Sequence, residues 1–160
     1  MPIHAVPFAL SPGKETQVDR GRVQTKEYQV RGIARWESDR LTLEWSGSVE
    51  IVDIQGGSVR NLRQSVPAQR LVLPAGRIAH IEARGRWWKP VIELRTMNIG
   101  PLELVPTASG GRVFLRIARR DWGMARELVS HVQLEMADAA LREAHGEERD
   151  AQSAERSDNR

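Results

Sequence analysis

The side chains in this chain that could do chemistry are few and dispersed. His80 and Glu82 lie two residues apart in an alternating run, so both point to one side of a strand. His131 sits in a helical run with Glu127 and Glu135 four residues to either side, the spacing of ordinary surface ion pairs. Neither set brings in the third group that would orient a base or activate a nucleophile. Ser11, Ser46 and Ser130 have no recognisable catalytic context. Gly56-Gly57 and Gly110-Gly111 are not followed by the Gly-Lys-Ser/Thr of a phosphate loop. The 4 histidines form no metal-ligand motif, and the absence of cysteine removes thiolate chemistry, disulfides and Cys-rich zinc sites. The expectation is a non-enzymatic chain with no catalytic residues, no metal and no cofactor.

The chemistry that is concentrated is that of binding. Arg84-Gly85-Arg86-Trp87-Trp88-Lys89-Pro90 sets two adjacent indoles among three flanking cations, between two strand-like runs. Adjacent strand residues face opposite ways, so both indoles are buried together only where the backbone turns. The segment reads as a hairpin tip, with Arg84, Arg86, Trp87, Trp88 and Lys89 as the candidate binding residues. The competing reading is structural: an indole that closes the open end of a barrel or meets Trp122. Three kinds of partner suit the tip. A protein or a second copy of the chain would use Trp and Arg as anchors, since they join apolar area to directional polar groups. An anionic membrane would take indoles in its headgroup zone and cations at its surface. A nucleic acid would stack on the indoles, but no RNA-binding string accompanies them and this partner is not expected.

The net charge of +3 hides a strong asymmetry. Arg20–Arg126 carries +9 and Glu127–Arg160 carries −5. A basic body with an acidic tail favours phosphate-bearing partners at long range, and is equally the solvated face of an Arg-rich protein. The start has no basic region followed by an apolar one, and the apolar runs are too short to span a bilayer. The expected location is cytoplasmic, with attachment to the inner face of the membrane as the variant.

The elements that must position these groups follow from periodicity. Residues 1–26 hold Pro2, Pro7, Pro12, Gly13 and Gly21 without a sustained period and are expected to form an N-terminal arm, extended on the domain or disordered. From Tyr28, alternation through Val30, Gly32 and Ala34 marks a strand. A turn at Glu37-Ser38-Asp39-Arg40 leads to Leu41, Leu43 and Trp45 on one face of the next strand. Val49–Ile54 is another strand, and Gln55–Gln69 reads as a longer connection. Leu71–Leu73, Arg77–Arg84, Val91–Thr96, Leu102–Leu104 and Arg112–Arg119 continue the short strands. Asp121 suits a helix N-cap. Trp122, Ala125, Val129, Val132, Met136 and Ala139, with Leu128 beside them, then recur at helical spacing. The helix is expected to fray near Glu143–Gly146, leaving 143–160 as a polar, disordered tail. About seven antiparallel strands and one amphipathic helix must cover each other's apolar faces, which a bent sheet or partly open barrel plugged by the helix achieves.

In this order the chain resembles the bacterial PH-like form of the pleckstrin-homology superfold, over about residues 28–141. The likeness rests on Gly32-Ile33-Ala34-Arg35 through Leu41-Thr42-Leu43-Glu44-Trp45, on Leu73-Pro74-Ala75-Gly76-Arg77-Ile78 with Ile81, and on Val113–Ile117 followed by Arg120–Val129. The resemblance implies a mainly-β PH-like domain over 27–142 that acts as a binding or scaffold module. The aromatic–cationic tip without a catalytic constellation, rather than the superfold, gives the expected function: protein–protein contacts or self-association, with peripheral binding to anionic lipid as the alternative. In phosphoinositide-binding members, basic residues around the first hairpin hold the headgroup. The matching turn here, Arg35–Arg40, carries two acids, with Arg31, Arg35 and Arg40 as its bases.

Overall fold

The computed structural model of the chain describes residues 4–85 and 88–158, with side chains as far as 147. Its strands are β1 (His4–Ser11), β2 (Lys14–Asp19), β3 (Arg22–Glu37), β4 (Arg40–Gln55), β5 (Ser58–Pro74), β6 (Ile78–Arg84), β7 (Val91–Thr96) and β8 (Arg112–Arg116), followed by one helix, α1 (Trp122–Asp158). Seven strands form one antiparallel path in the order β5-β4-β3-β1-β8-β7-β6, and β2 pairs with β3 beside that path. The path curls into a half-barrel and α1 caps it.

The core is made by strand parity. Val6, Phe8 and Leu10 of β1, Leu41, Leu43 and Trp45 of β4, Ile92 and Leu94 of β7, and Val113 and Leu115 of β8 are all buried on the concave face. The helix stripe supplies Ala125, Leu128, Val129 and Val132, all buried, with Trp122, Met136 and Ala139 packed against the same cluster. Trp45 and Trp36 are core residues as well. Gln133 Nε2 donates to the Ile81 carbonyl at 2.8 Å, which ties α1 to the edge strand β6.

Four expectations are corrected. The N-terminal segment is not an arm: β1 lies between β3 and β8 in the middle of the sheet. Its alternation of Val6, Phe8 and Leu10 is long-range strand pairing that no neighbouring sequence reveals. Gln55–Gln69 is not a connection but the turn and outer half of a hairpin, paired from Gln55↔Ser58 to Trp45↔Gln69. Leu102–Leu104 is not a strand: Gly100–Leu104 is a 3-10 turn opened by Pro101, which buries Leu102. The helix does not end near Glu143–Gly146 but continues to Asp158. Residues 143–158 are rich in Ala, Glu and Arg, whose intrinsic helix propensity carries the helix on.

The halves of β3, β4 and β5 beyond the core form, with β2, a four-stranded blade. It begins where the β4–β5 register shifts between Trp45 and Gly47. Gly47 has φ +152°, and a Cβ there would lie 2.1 Å from the Gln29 carbonyl oxygen. Only glycine allows β3 and β4 to approach so closely at this bulge. The two hairpins at the blade's far end close through Arg20-Gly21 (φ +42°, +84°) and Gly56-Gly57 (φ +58°, +82°). Positive φ at both loop residues defines the two-residue turn that follows the natural strand twist.

Candidate functional site

The Arg/Trp segment closes the β6–β7 hairpin. Arg86 and Trp87 lie outside the described residues. Trp88 is 44% exposed, Lys89 is exposed, and Pro90 is buried. Gly85 has φ +99°, and a Cβ on it would meet the Lys89 carbonyl oxygen at 2.1 Å, so the loop crosses itself tightly at this point. The Pro90 carbonyl accepts from Ile117 N–H at 2.9 Å, which anchors the hairpin's return strand to the segment after β8.

Beneath the tip, the convex face of β6, β7 and β8 is an ion-pair lattice. The register sets Glu82 opposite Glu93, Glu93 opposite Phe114, and Arg95 opposite Arg112. Two carboxylates directly opposite repel each other. Arg84 resolves this by bridging them, with Nε 2.8 Å from Glu82 Oε2 and Nη1 2.6 Å from Glu93 Oε2. Arg95 holds the other oxygen of Glu93 through Nε at 2.9 Å, and Arg112 Nη1 lies 3.7 Å from it. Arg112 also sits 5.3 Å from the centroid of the Phe114 ring. Glu93 is only 1% exposed under these side chains. Burial alone would raise its pKa, but the Arg95 hydrogen bonds and the charges of Arg84, Arg95 and Arg112 win, holding the carboxyl below its usual range. The Arg84 charge is thus committed within the molecule and fixes the root of the tip.

His80 joins the same lattice, with Nε2 3.4 Å from Glu82 Oε2. His80, Glu82 and Glu93 offer ligand atoms within 4.8 Å of one another. Both Glu93 oxygens accept hydrogen bonds from guanidinium groups, and Glu82 Oε2 lies 2.8 Å from Arg84 Nε, so a cation placed among them would face those positive charges. His131, the other histidine singled out from sequence, packs its ring against that of His4 at 4.2 Å.

A basic row crosses the convex face immediately below the tip. Arg84, Val91, Arg116, Ala9 and Arg31 are aligned on β6, β7, β8, β1 and β3 in turn. Arg31 and Arg116 therefore flank the small Ala9, and with Lys14, Tyr28 and Gln29 they line a cleft of about 570 Å³. A second cleft of about 310 Å³ continues past the same two arginines to Arg120 and Asp121. Asp121, the expected helix cap, directly precedes α1 and is buried; among the described residues its Oδ2 accepts no hydrogen bond, and it lies 3.6 Å from Arg120 Nε. Of the first-hairpin bases, Arg35 pairs with Glu44 at 3.7 Å and Arg31 turns to the cleft. Sequence reading missed Arg116. Its signal was parity: Val113, Leu115 and Ile117 point in, so Arg112 and Arg116 point out.

The blade exposes apolar side chains of a different kind. Val18, Val23, Ile54 and Val59 are aligned across all four strands near the far turns. Val18 is 73% and Val59 62% exposed, although these are the outermost residues of the row.

Comparison with protein-family models, with curated proteins and with solved structures found no match to this chain. The class that fold and surfaces define is a helix-capped antiparallel half-barrel with a projecting sheet and an aromatic–cationic tip. Among the described residues, no helix is long and apolar enough to cross a membrane.

Proposed function

We propose that this chain is a non-enzymatic binding module of the PH-like kind, and that its tip engages a protein surface or a second copy of itself. The seven-strand path closed by a terminal helix agrees with the architecture that the resemblance implies. One observation carries the functional reading. A tryptophan and a lysine stand exposed at a hairpin end whose root is fixed by Arg84 on a buried carboxylate. An anchor residue binds best when it is ordered beforehand, because less freedom is lost on association. The titratable clusters near it are ion pairs rather than an acid–base or nucleophile–base arrangement. The module would act in the cytoplasm.

The test is light scattering on a sizing column, with pull-down from a lysate, for wild type against the Trp87→Ala/Trp88→Ala double variant. Loss of a bound partner or of self-association in the variant supports the reading. An unchanged profile in both assays overturns it.

Anionic lipid is the second reading, favoured by the Arg31–Arg116 row lying directly under the tip. Vesicle sedimentation at two salt concentrations tests it. Binding that requires anionic lipid and weakens with salt is expected, since exposed charges act through a screened field.

A further inference from the structure

We propose that the blade joins copies of this chain edge to edge, head to tail, by pairing β5 of one copy with β2 of the next. This surface is separate from the tip and stands or falls independently of it.

Both outer strands of the blade are open edges among the described residues, because β2 pairs only with β3 and β5 only with β4. Turn chemistry dictates which backbone groups are unpaired. A two-residue hairpin of this type makes its flanking residues a hydrogen-bonded pair, and such pairs then alternate along the ladder. Asp19↔Arg22 and Gln55↔Ser58 flank the two turns. The hydrogen bond from Tyr28 N–H to the Gly13 carbonyl, at 2.8 Å, has the same parity. Lys14, Thr16 and Val18 on β2 therefore direct their N–H and C=O groups outward. So do Val59, Asn61 and Arg63 on β5.

These two sets are complementary in direction, register and charge. Along the blade β2 and β5 run antiparallel to each other, so simple repetition of the blade brings them together as an antiparallel pair. Setting Val59 opposite Val18 of the next copy pairs outward groups with outward groups. It also continues the row Val18–Val23–Ile54–Val59 unbroken from one copy to the next, covering its two most exposed members. In that register Arg60 lies opposite Gln17 and diagonally between Glu15 and Asp19, all on the opposite face of the blade. Diagonal neighbours are within reach of long side chains. Arg63 opposite Lys14 is the one unfavourable pair. Within the chain, Arg63 already leans to Ser48, with Nη2 3.4 Å from its Oγ.

A two-fold β5–β5 pair centred on Asn61 would set Val59 against Arg63 and bring Arg60 diagonally against its own copy. A two-fold β2–β2 pair centred on Thr16 would set Val18 against Lys14 and Glu15 diagonally against its own copy. Both break the apolar row and bring like charges together. Hence the contact is heterologous and does not close on itself. Four strands advance each copy by roughly 19 Å and turn it by roughly 80°. That rotation swings successive half-barrels away from one another rather than stacking them.

Sedimentation velocity over a concentration series tests this on the full chain. Wild type should show oligomers growing with concentration. Thr16→Pro blocks the β2 edge and Asn61→Pro blocks the β5 edge; each removes an outward donor while leaving the internal ladder intact. Each variant alone should be monomeric. An equimolar mixture should form a dimer that grows no further, because each variant retains the edge that the other lacks. Near-UV circular dichroism of the tryptophans reports whether each variant is folded. If a proline variant is unfolded, Arg60→Glu replaces it. This change should weaken association about tenfold through the lost charge-assisted contacts, and adding Glu15→Arg to it should restore association. Trp88→Ala should leave the assembly unchanged, which separates failure of this contact from failure of the tip. Three results would each overturn the proposal: a wild type monomeric at its highest soluble concentration, assembly indifferent to both edge variants, or a folded mixture that stays monomeric.

Discussion

Replacing Glu93 by Gln keeps the shape of the side chain and removes the charge on which three arginines converge. The close contacts are Arg84 at 2.6 Å and Arg95 at 2.9 Å, and the carboxylate is 1% exposed. Unit charges 4 Å apart attract by about 4 kcal/mol at an effective dielectric of about 20. The arginine side chains are themselves half exposed, with 56% and 49% accessible for Arg84 and Arg95, so they retain much of their hydration in either state. Each close pair is then better valued at about 1.5 kcal/mol, the lower end for hydrogen bonds to charged groups. Because the amide oxygen of Gln still accepts one hydrogen bond, the expected loss is about 2–3 kcal/mol at neutral pH. For a domain of this size that is a fall in melting temperature of roughly 5–10 °C. The pH dependence gives the reasoning its sharper test. The folded pKa of Glu93 lies below its unfolded value, so its contribution is complete above about pH 4.3 and disappears as pH falls through the folded pKa. Thermal melts of the two proteins should therefore differ most at pH 6–7 and converge in acid, where wild-type Glu93 is itself neutral. Glu82→Gln is the control: its side chain is 43% exposed, and surface pairs contribute less than about 1 kcal/mol. Equal melting of wild type and Glu93→Gln at neutral pH would refute the account, as would a gap that persists undiminished in acid.

Gly47→Ala forces a methyl carbon to within 2.1 Å of the Gln29 carbonyl oxygen at φ +152°; a loss of about 3 kcal/mol is expected in urea unfolding. Leu128 is fully buried between helix and sheet, so Leu128→Ala should cost about 2–5 kcal/mol by the same measurement.

How much of this was legible in the sequence depended on how far apart the paired residues lie. Leu41, Leu43 and Trp45 declare their shared face within five residues, and the stripe from Trp122 to Ala139 does so within one helix. Val6, Phe8 and Leu10 alternate just as clearly, but Pro7 and Pro12 interrupt the run and its partners on β8 come a hundred residues later. The blade was hidden for the opposite reason. Its strands carry polar residues on both faces, so Gln55–Gln69 lacks the alternation that burial imposes, and only the double glycine marks the turn. Within the candidate site, the tip was visible as an unusual composition, whereas its foundation was not. Glu93 alternates with Ile92 and Leu94 and reads as an ordinary solvent-facing acid. It is buried only because Arg84, Arg95, Arg112 and Phe114 arrive from three strands to cover it.

The blade contains no hydrophobic centre of its own and ends in hairpins closed by two-residue turns, which gives its length an arithmetic of its own. Deleting two residues from each of β2 to β5 just before the turns leaves a hydrogen-bonded pair to close each hairpin, whereas deleting one from each leaves a non-hydrogen-bonded pair that a two-residue turn does not fit. Its reach can therefore change only in steps of about 7 Å, without any repacking of the half-barrel. In such a molecule the body would be inherited as a fixed part, and the projecting sheet as a ruler.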